Sequence, residues 1–284
     1  MAALAAGGVT LDGRRITDAG RTLALREQLL VTLVERGRSP QGAATLDRER
    51  LLHLDDDIVV VDKPAHLAAQ GTLSDATAGL DAAVSRLLAA MGKRPFAGLV
   101  HRLDLETSGV TVFGRTAAAV SGLAAQFRGG SVDKRYRLLV AGTPSWDETV
   151  VDAPIAGDEH HQGLQVVSPR GRRATTLLRC LRRFSSGGSA SALVEAQPKS
   201  GRTHQIRVHA AHIAHPLLGD RRYGGPALMT LADGRRVSCP RVALHAASLS
   251  LTHPTTGRRL TFESIWPEEL RRLETALAEG ANGP

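Results

Sequence analysis

Strand patterns dominate the chain from about residue 133 to residue 263, and helix patterns occur only singly among them. Residues 136–140 alternate in hydrophobicity, and 174–183 and 190–197 form strand-like runs around a Ser-Ser-Gly-Gly turn. The runs 243–251 and 258–263 flank a Pro-Thr-Thr-Gly turn and predict a hairpin. A repeating parallel architecture would need a helix after every strand, so this order predicts an α+β fold.

The helix patterns are few and separately placed. Apolar residues at intervals of three and four predict a helix near 80–91, and Thr116 is placed to cap a second helix ending at Gly129-Gly130. We expect a third helix over 204–213, capped by Thr203, and a last one starting at Pro267. The run Ile58-Val59-Val60-Val61 predicts a buried strand that ends at Asp62-Lys63-Pro64.

The turn-rich segment 39–44 interrupts both periodicities and is typical of a linker. We therefore expect a small N-terminal segment at 1–45 and one large domain at 46–284, which 284 residues with 42% hydrophobic content can support. Residues 9–23 look like the closing hairpin of an S4 RNA-binding domain whose two preceding helices are missing. This segment either packs on the large domain without binding RNA or follows a gene start that lies further upstream.

The net charge of +8 favours a polyanionic partner. Only four of the 36 basic residues are lysine, which reflects a coding bias toward arginine as much as recognition. The two cysteines, Cys180 and Cys239, lie far apart and predict neither a disulfide framework nor a thiolate metal site. No run approaches the ~20 apolar residues of a membrane span, so we expect a soluble, cytoplasmic protein.

The segment His101-Arg102-Leu103-Asp104-Leu105-Glu106-Thr107-Ser108-Gly109 carries the most chemical information. It places a carboxylate beside a cation in a hydroxyl-rich loop that leads into the apolar run 110–113. An isolated Arg-x-Asp is usually part of a solvated, capped loop. Here the surrounding residues change that interpretation.

His101-Arg102-Leu103-Asp104 followed by Thr107-Ser108-Gly109 resembles the signature of the RluA-type pseudouridine synthases. Further segments resemble that family in the same order: 57–64, Lys134-Arg135-Tyr136, 201–209 (Gly-Arg-Thr-His-Gln-Ile-Arg-Val-His), 215–220 with Tyr223-Gly224, and Leu244-His245-Ala246 before His253-Pro254. The resemblance covers about residues 50–268. It implies a mixed, mainly antiparallel sheet with flanking helices and a central RNA-binding cleft.

The resemblance implies that Asp104 is the essential catalytic acid. Isomerising uridine is redox-neutral and needs no hydride carrier or metal, so we expect no cofactor. Whether the carboxylate attacks the ribose or the base is left open. Arg207 is similar to the family's cation that keeps this carboxylate ionised, with an ordinary surface arginine as the alternative. Tyr136 matches the family's aromatic against the target base, with a core tyrosine as the alternative.

RNA contact is expected of a second group of residues. Arg102 resembles the family arginine that fills the stack vacated by the extruded uridine, with a phosphate contact as the alternative. The same motifs supply further candidates for RNA binding: His101, Thr107, Arg202, His204 and Gln205. The implied partner is structured ribosomal or transfer RNA, bound by a monomer.

The histidines at 204, 209, 212 and 215 invite a metal interpretation, but their spacing places no tetrahedral set on one helix face. We therefore expect no metal site. Six arginine pairs are candidates for a phosphate track: 172–173, 182–183, 221–222, 235–236, 258–259 and 271–272. The loop 65–71 departs from the family, which commonly has glycine in place of His66 and a His-Pro pair near Gln70.

Two other functions are alternatives for this sequence. One is a catalytically inactive RNA-binding or ribosome-assembly factor on the same fold, against which the presence of Asp104, Tyr136 and Arg207 speaks. The other is a retaining glycosidase that uses Asp104 and Glu106. Its two carboxylates must flank the scissile bond about 5 Å apart; this function ranks low.

Overall fold

The computed structural model describes residues 44–71, 77–184, 189–231 and 233–281, together with three short strands at 9–11, 14–15 and 29–31. Its helices are α1 Leu80–Ala90, α2 Ala117–Gly129, α3 Gln205–His212 and α4 Glu268–Ala281, with single 3-10 turns at Arg48–Arg50 and Arg221–Tyr223. Its strands are β1 Val9–Leu11, β2 Arg14–Arg15, β3 Leu29–Val31, β4 Leu51–Leu54, β5 Ile58–Lys63, β6 Gly98–Leu99, β7 Ser108–Gly114, β8 Asp133–Ala141, β9 Glu148–Asp152, β10 Ile155–Gly157, β11 Gln165–Val167, β12 Thr175–Phe184, β13 Ser191–Pro198, β14 Leu228–Thr230, β15 Arg236–Ser238, β16 Leu244–Thr252 and β17 Arg259–Glu263.

Ten strands form one sheet in the spatial order β4-β5-β7-β16-β8-β13-β12-β9, with β6 on β7 and β17 on β16. Within this sheet β7 and β16 pair in parallel and the other pairs are antiparallel. The α+β fold with a mixed, mainly antiparallel sheet is therefore confirmed. The predicted hairpins β12–β13 and β16–β17 are also present.

The parallel junction between β7 and β16 joins two antiparallel halves through only two registered pairs, His245 with Ser108 and Ala246 with Gly109. Gly109 has φ +117°, and a Cβ built there would lie 2.2 Å from the Ala246 carbonyl oxygen. Only glycine allows the two backbones to approach this closely. The loop that carries Asp104 enters β7 at this junction, so the fold places it where the two halves meet.

The helices flank the sheet and seal its faces. Leu80, Val84 and Leu88 of α1 pack with β5 in one core cluster, while Leu270 and Leu273 of α4 belong to another. The cap of α2 is confirmed, because the Thr116 side chain accepts a hydrogen bond from the Ala119 amide at 3.1 Å and Gly130 ends the helix with φ +73°. The same local signals that predicted these helices thus also set their ends.

The predicted cap of α3 is wrong. His204, not Thr203, occupies the N-cap position, and no side chain accepts a hydrogen bond there. His204 has φ +55°, whereas an effective cap residue needs an extended backbone to aim its oxygen at the first free amides. Residues 39–43 of the predicted linker at 39–44 and the turn at 185–188 lie outside the described residues.

Candidate active site

A cavity of about 1440 Å³ opens at the junction of the two half-sheets. Its walls come from the loop before β7, from β8, from the segment before β12 and from the stretch 198–207 that leads into α3. All nine residues proposed from the sequence as catalytic or RNA-binding line this cavity: His101, Arg102, Asp104, Thr107, Tyr136, Arg202, His204, Gln205 and Arg207.

Asp104 and Arg207 meet in the wall of the cavity although 103 positions separate them. Arg207 Nη1 donates to Asp104 Oδ2 at 3.2 Å. The other edge of the guanidinium donates twice to Asp220, through Nε at 2.7 Å and Nη2 at 2.8 Å. Burial alone would lower the pKa of Arg207, but the hydrogen bonds and the charge of Asp220 outweigh it, with Asp104 contributing, and the pKa is raised. Arg207 is therefore always charged, and its two hydrogen bonds to Asp220 fix the orientation in which the guanidinium faces Asp104.

Tyr223 supports the Asp104–Arg207 pair through contacts with His204 and Arg207. Its hydroxyl accepts the Gln165 amide at 3.0 Å and lies 2.7 Å from His204 Nδ1, so it donates to that nitrogen. The remaining His204 proton is then on Nε2, which lies 3.8 Å from Asp104 Oδ2. Burial lowers the pKa of His204, opposed by the Asp104 charge. Arg207 also lies over the Tyr223 ring, with 5.0 Å from Cζ to the centroid.

Tyr136 on β8 is half-buried against the cavity, and its hydroxyl makes no hydrogen bond within the described part of the chain. Burial, together with the Asp104 charge, raises the pKa of its phenol, so the ring is neutral. Buried tyrosines usually satisfy their hydroxyl. An unpartnered phenol facing a cavity is instead positioned to contact a bound molecule.

Two of the expected RNA-binding residues are engaged inside the fold. His101 Nε2 accepts the Val112 amide at 3.1 Å and its ring stacks on Phe127 at 4.5 Å, while burial lowers its pKa to about 3. Gln205 uses all its hydrogen-bonding capacity on Ser200, Arg202, Thr175 and Thr176. These contacts favour positioning of the cavity wall over direct contact with RNA.

Thr107 is also buried, and its amide donates to the Asp104 carbonyl at 3.1 Å, which tightens the loop around the carboxylate. By contrast, Arg102 is exposed on the cavity rim and Arg202 is half-buried. Arg202 Nε donates to the Arg173 carbonyl at 3.1 Å, which leaves the rest of its guanidinium available.

Two buried cations that sequence reasoning did not assign to the site support the Asp104 loop. Lys63 is fully buried, and its Nζ donates to the carbonyls of Pro64, Leu67 and Leu105 at 2.9, 2.7 and 3.2 Å. Burial, with the Arg241 charge, lowers the pKa of Lys63 to about 7, against the charges of Asp104 and Asp62. The position of Lys63 at the end of a buried strand was a usable signal.

Arg241 is the second support and is 3% exposed. Its guanidinium donates to the Glu106 carbonyl at 2.9 Å, to Ser108 Oγ at 2.8 Å and to Glu269 Oε1 at 3.0 Å. Ser108 in turn donates to His245 Nδ1 at 2.9 Å, because His245 Nε2 is committed to the Ser264 carbonyl. No local pattern in the sequence marks Arg241, since its role depends on which elements meet around it.

The cavity lining is strongly cationic. Among the described residues, nine lysines and arginines line it against two carboxylates, Asp104 and Glu106; the basic residues are Arg102, Arg128, Lys134, Arg172, Arg173, Lys199, Arg202, Arg207 and Arg222. Of the six arginine pairs, 172–173 and one member of 221–222 belong to this surface. A cavity with this charge attracts a polyanion and lowers the cost of bringing a phosphate backbone to Asp104.

In the part of the chain that the structure describes, no three or more His, Cys, Asp or Glu side chains are grouped as metal ligands. His209 is committed to Thr176 Oγ1 and the Ala153 carbonyl, both at 2.9 Å, and His215 to the Ala141 carbonyl. Among the described helices, none has the length and apolar character needed to cross a bilayer.

Comparisons with known proteins agree on one family. The profile of the family described as RNA pseudouridylate synthase matches residues 57–212. An uncharacterized RNA pseudouridine synthase of Mycobacterium bovis is 36% identical over 96% of this chain and 88% of its own length. Ribosomal large subunit pseudouridine synthase D of Pseudomonas aeruginosa is 34% identical over 94% and 85%. The structure of human RNA pseudouridylate synthase domain containing 4 superposes with a TM-score of 0.60 and 27% identity, covering 80% of this chain and 93% of that one.

Proposed function

Because the chain belongs to the RluA-type pseudouridine synthase family and is thus an RNA pseudouridine synthase, we propose that Asp104 is its catalytic residue and that its substrate is a uridine in structured ribosomal or transfer RNA. The observation that carries this proposal is the orientation of Asp104. Its carboxylate lies in a cationic cavity and is paired with Arg207, which Asp220 holds from the opposite side. A carboxylate that a permanently charged guanidinium orients in this way is placed to act as a nucleophile.

The chemistry requires one carboxylate and one proton transfer. The bond between N1 of uracil and C1′ of ribose breaks, the base turns, and a bond forms between C5 and C1′, while N1 gains a proton and C5 loses one. Asp104 divides this displacement into easier steps by attacking the ribose or the ring. Tyr136 contacts the uracil, where ring stacking contributes about 1–3 kcal/mol, and its neutral phenol is placed to assist removal of the C5 proton.

Binding of the RNA is assigned to the cavity rim. The target uridine must leave its stack to reach Asp104, and the exposed Arg102 has the flat cation that fits between the neighbouring bases. Arg202 and the pair Arg172-Arg173 supply phosphate contacts. His101, Thr107 and Gln205 position the cavity lining, and His204 lies beside Asp104.

Large-subunit ribosomal RNA is the first substrate to test, because the relative in Pseudomonas aeruginosa has the ribosomal large subunit in its name. We also propose that residues 46–284 form the catalytic domain and 1–45 a separate segment. Two observations support this division: Leu46 already belongs to the core with Val59 and Val61, and β1, β2 and β3 form a small sheet of their own.

The experiment uses ribosomal and transfer RNA transcripts labelled with tritium at C5 of uridine. Since C5 loses its hydrogen when it bonds to C1′, release of tritium reports isomerisation, and mapping of the product locates the uridine. We expect release from one RNA class at one or a few positions. RNA binding without release from either class would indicate an inactive RNA-binding or ribosome-assembly factor and refute the proposal.

A further inference from the structure

The loop after β5 lies directly over the Asp104 loop. The His66 amide donates to the Leu105 carbonyl at 2.8 Å, and the same oxygen accepts from Lys63 Nζ at 3.2 Å. These two bonds fix His66 beside the residue that follows Asp104. The His66 side chain is exposed and lines the cavity.

His66 adopts a backbone conformation that an L-residue rarely takes, with φ +62°. The described residues contain two other non-glycine residues with positive φ, His204 and Ala214, and of the three His66 and His204 line the cavity. A left-handed backbone conformation at a non-glycine residue costs free energy in the folded state, and residues that keep it cluster at functional sites. Glycine would satisfy this backbone without that cost.

No polar or ring contact within the described protein explains why residue 66 carries an imidazole. Its ring makes no hydrogen bond, ion pair or ring contact with another described residue. Among the described residues, the side chain therefore makes no polar or ring contact that would hold the loop. Its orientation toward the cavity points to a molecule that binds there.

The neighbours of His66 on this rim define what it would bind. Leu105 is 54% exposed although its side chain is wholly apolar, and Arg102 and Gln70 are exposed on the same rim. A flat ring beside an exposed aliphatic chain is suited to the face of a nucleobase, whereas the phosphate backbone is better matched by the arginines elsewhere in the cavity lining.

Building on the proposed function, we infer that His66 and Leu105 form a contact for the nucleobase next to the target uridine, and that His66 contributes to the choice of that uridine. The contact acts on binding and site choice, because His66 lies on the rim and Asp104 carries the chemistry. It also explains why histidine stands where the resembling family commonly has glycine.

The test compares His66→Gly with Ala214→Gly, which relieves a similar backbone strain outside the cavity. Both variants should raise the melting temperature by about 2 °C, since each removes a left-handed non-glycine residue. Only His66→Gly should lower the affinity for the labelled RNA, by about tenfold as for loss of one stacked base. Ala214→Gly should keep both the wild-type affinity and the wild-type single-turnover rate.

A second measurement addresses site choice. RNAs that differ only in the nucleotides flanking the target are compared, and the spread of their affinities should narrow in His66→Gly. A more stable His66→Gly with wild-type affinity and an unchanged spread would overturn the inference. Wild-type protein that releases no tritium would instead refute the proposed function, so the two failures are distinguishable.

Discussion

Arg207 has two roles in this structure, one in the stability of the fold and one toward Asp104. A single variant and a double variant distinguish them. Asp220 is 1% exposed, and both its carboxylate oxygens are bound by Arg207. Arg207→Met leaves that carboxylate buried without a partner, which costs about 3–5 kcal/mol of folding free energy. Because domains are stable by only about 5–15 kcal/mol, the single variant is expected to be strongly destabilised.

The double variant Arg207→Met with Asp220→Leu removes both buried charges. Replacing a buried ion pair with apolar groups of similar volume is often neutral, so most of the lost stability should return. Activity should stay low, because Asp104 still lacks the donor that lies 3.2 Å away. A hydrogen bond to a charged group contributes about 1.5–3 kcal/mol, so the single-turnover rate should fall about 10- to 150-fold.

The assay combines urea unfolding with single-turnover tritium release and RNA binding at fixed salt. RNA affinity should change modestly, since one positive charge is lost among many. If the double variant recovers both stability and rate, Arg207 serves only the fold and its proposed role toward Asp104 is wrong.

Three further predictions concern acid stability, metals and the N-terminal segment. Burial lowers the pKa of His245 to about 4, below its ordinary 6.5, so on acidification the unfolded state takes up this proton before the folded state does. The free energy of unfolding should therefore fall from pH 6.5 to pH 4, by up to about 1.4 kcal/mol per pH unit. Urea unfolding of His245→Asn at a series of pH values should show a weaker dependence of this free energy on pH. The purified enzyme should keep its full rate of tritium release in excess EDTA, because the proposed steps use only side chains; a loss that zinc restores would revive the histidine-cluster hypothesis. Deletion of residues 1–40 should leave a folded, active domain, as judged by circular dichroism and tritium release, whereas precipitation of the truncated chain would indicate that the segment is part of the core.

Much of the fold could be predicted because its signals are local. The stripe of α1, the Thr116 cap of α2 and the two hairpins depend on residues close together in the chain. The cap at Thr203 failed because the left-handed His204 displaces the helix start, and φ at a histidine is not visible in a sequence pattern. Local periodicity therefore predicts an element more securely than its first residue.

The site could be predicted in part, and for a different reason. The motifs around Asp104 and Arg207 resemble a known family, and both residues line one cavity. The supports behind them were missed: Asp220 holds Arg207, and Arg241 holds the Glu106 carbonyl from 135 positions away. The Arg241 contact lies beside the short parallel junction of β7 and β16, a tertiary arrangement that no spacing in the chain encodes.

The central claim is that the Asp104 carboxylate performs the chemistry while the cationic cavity performs the binding. Asp104→Asn tests it most directly, because the amide keeps the size of the side chain and an oxygen for Arg207 but loses the charge. We expect tritium release from the labelled RNA to fall below detection and RNA affinity to fall less than tenfold, since phosphate contacts supply most of the binding. Measurable turnover by Asp104→Asn would contradict the account.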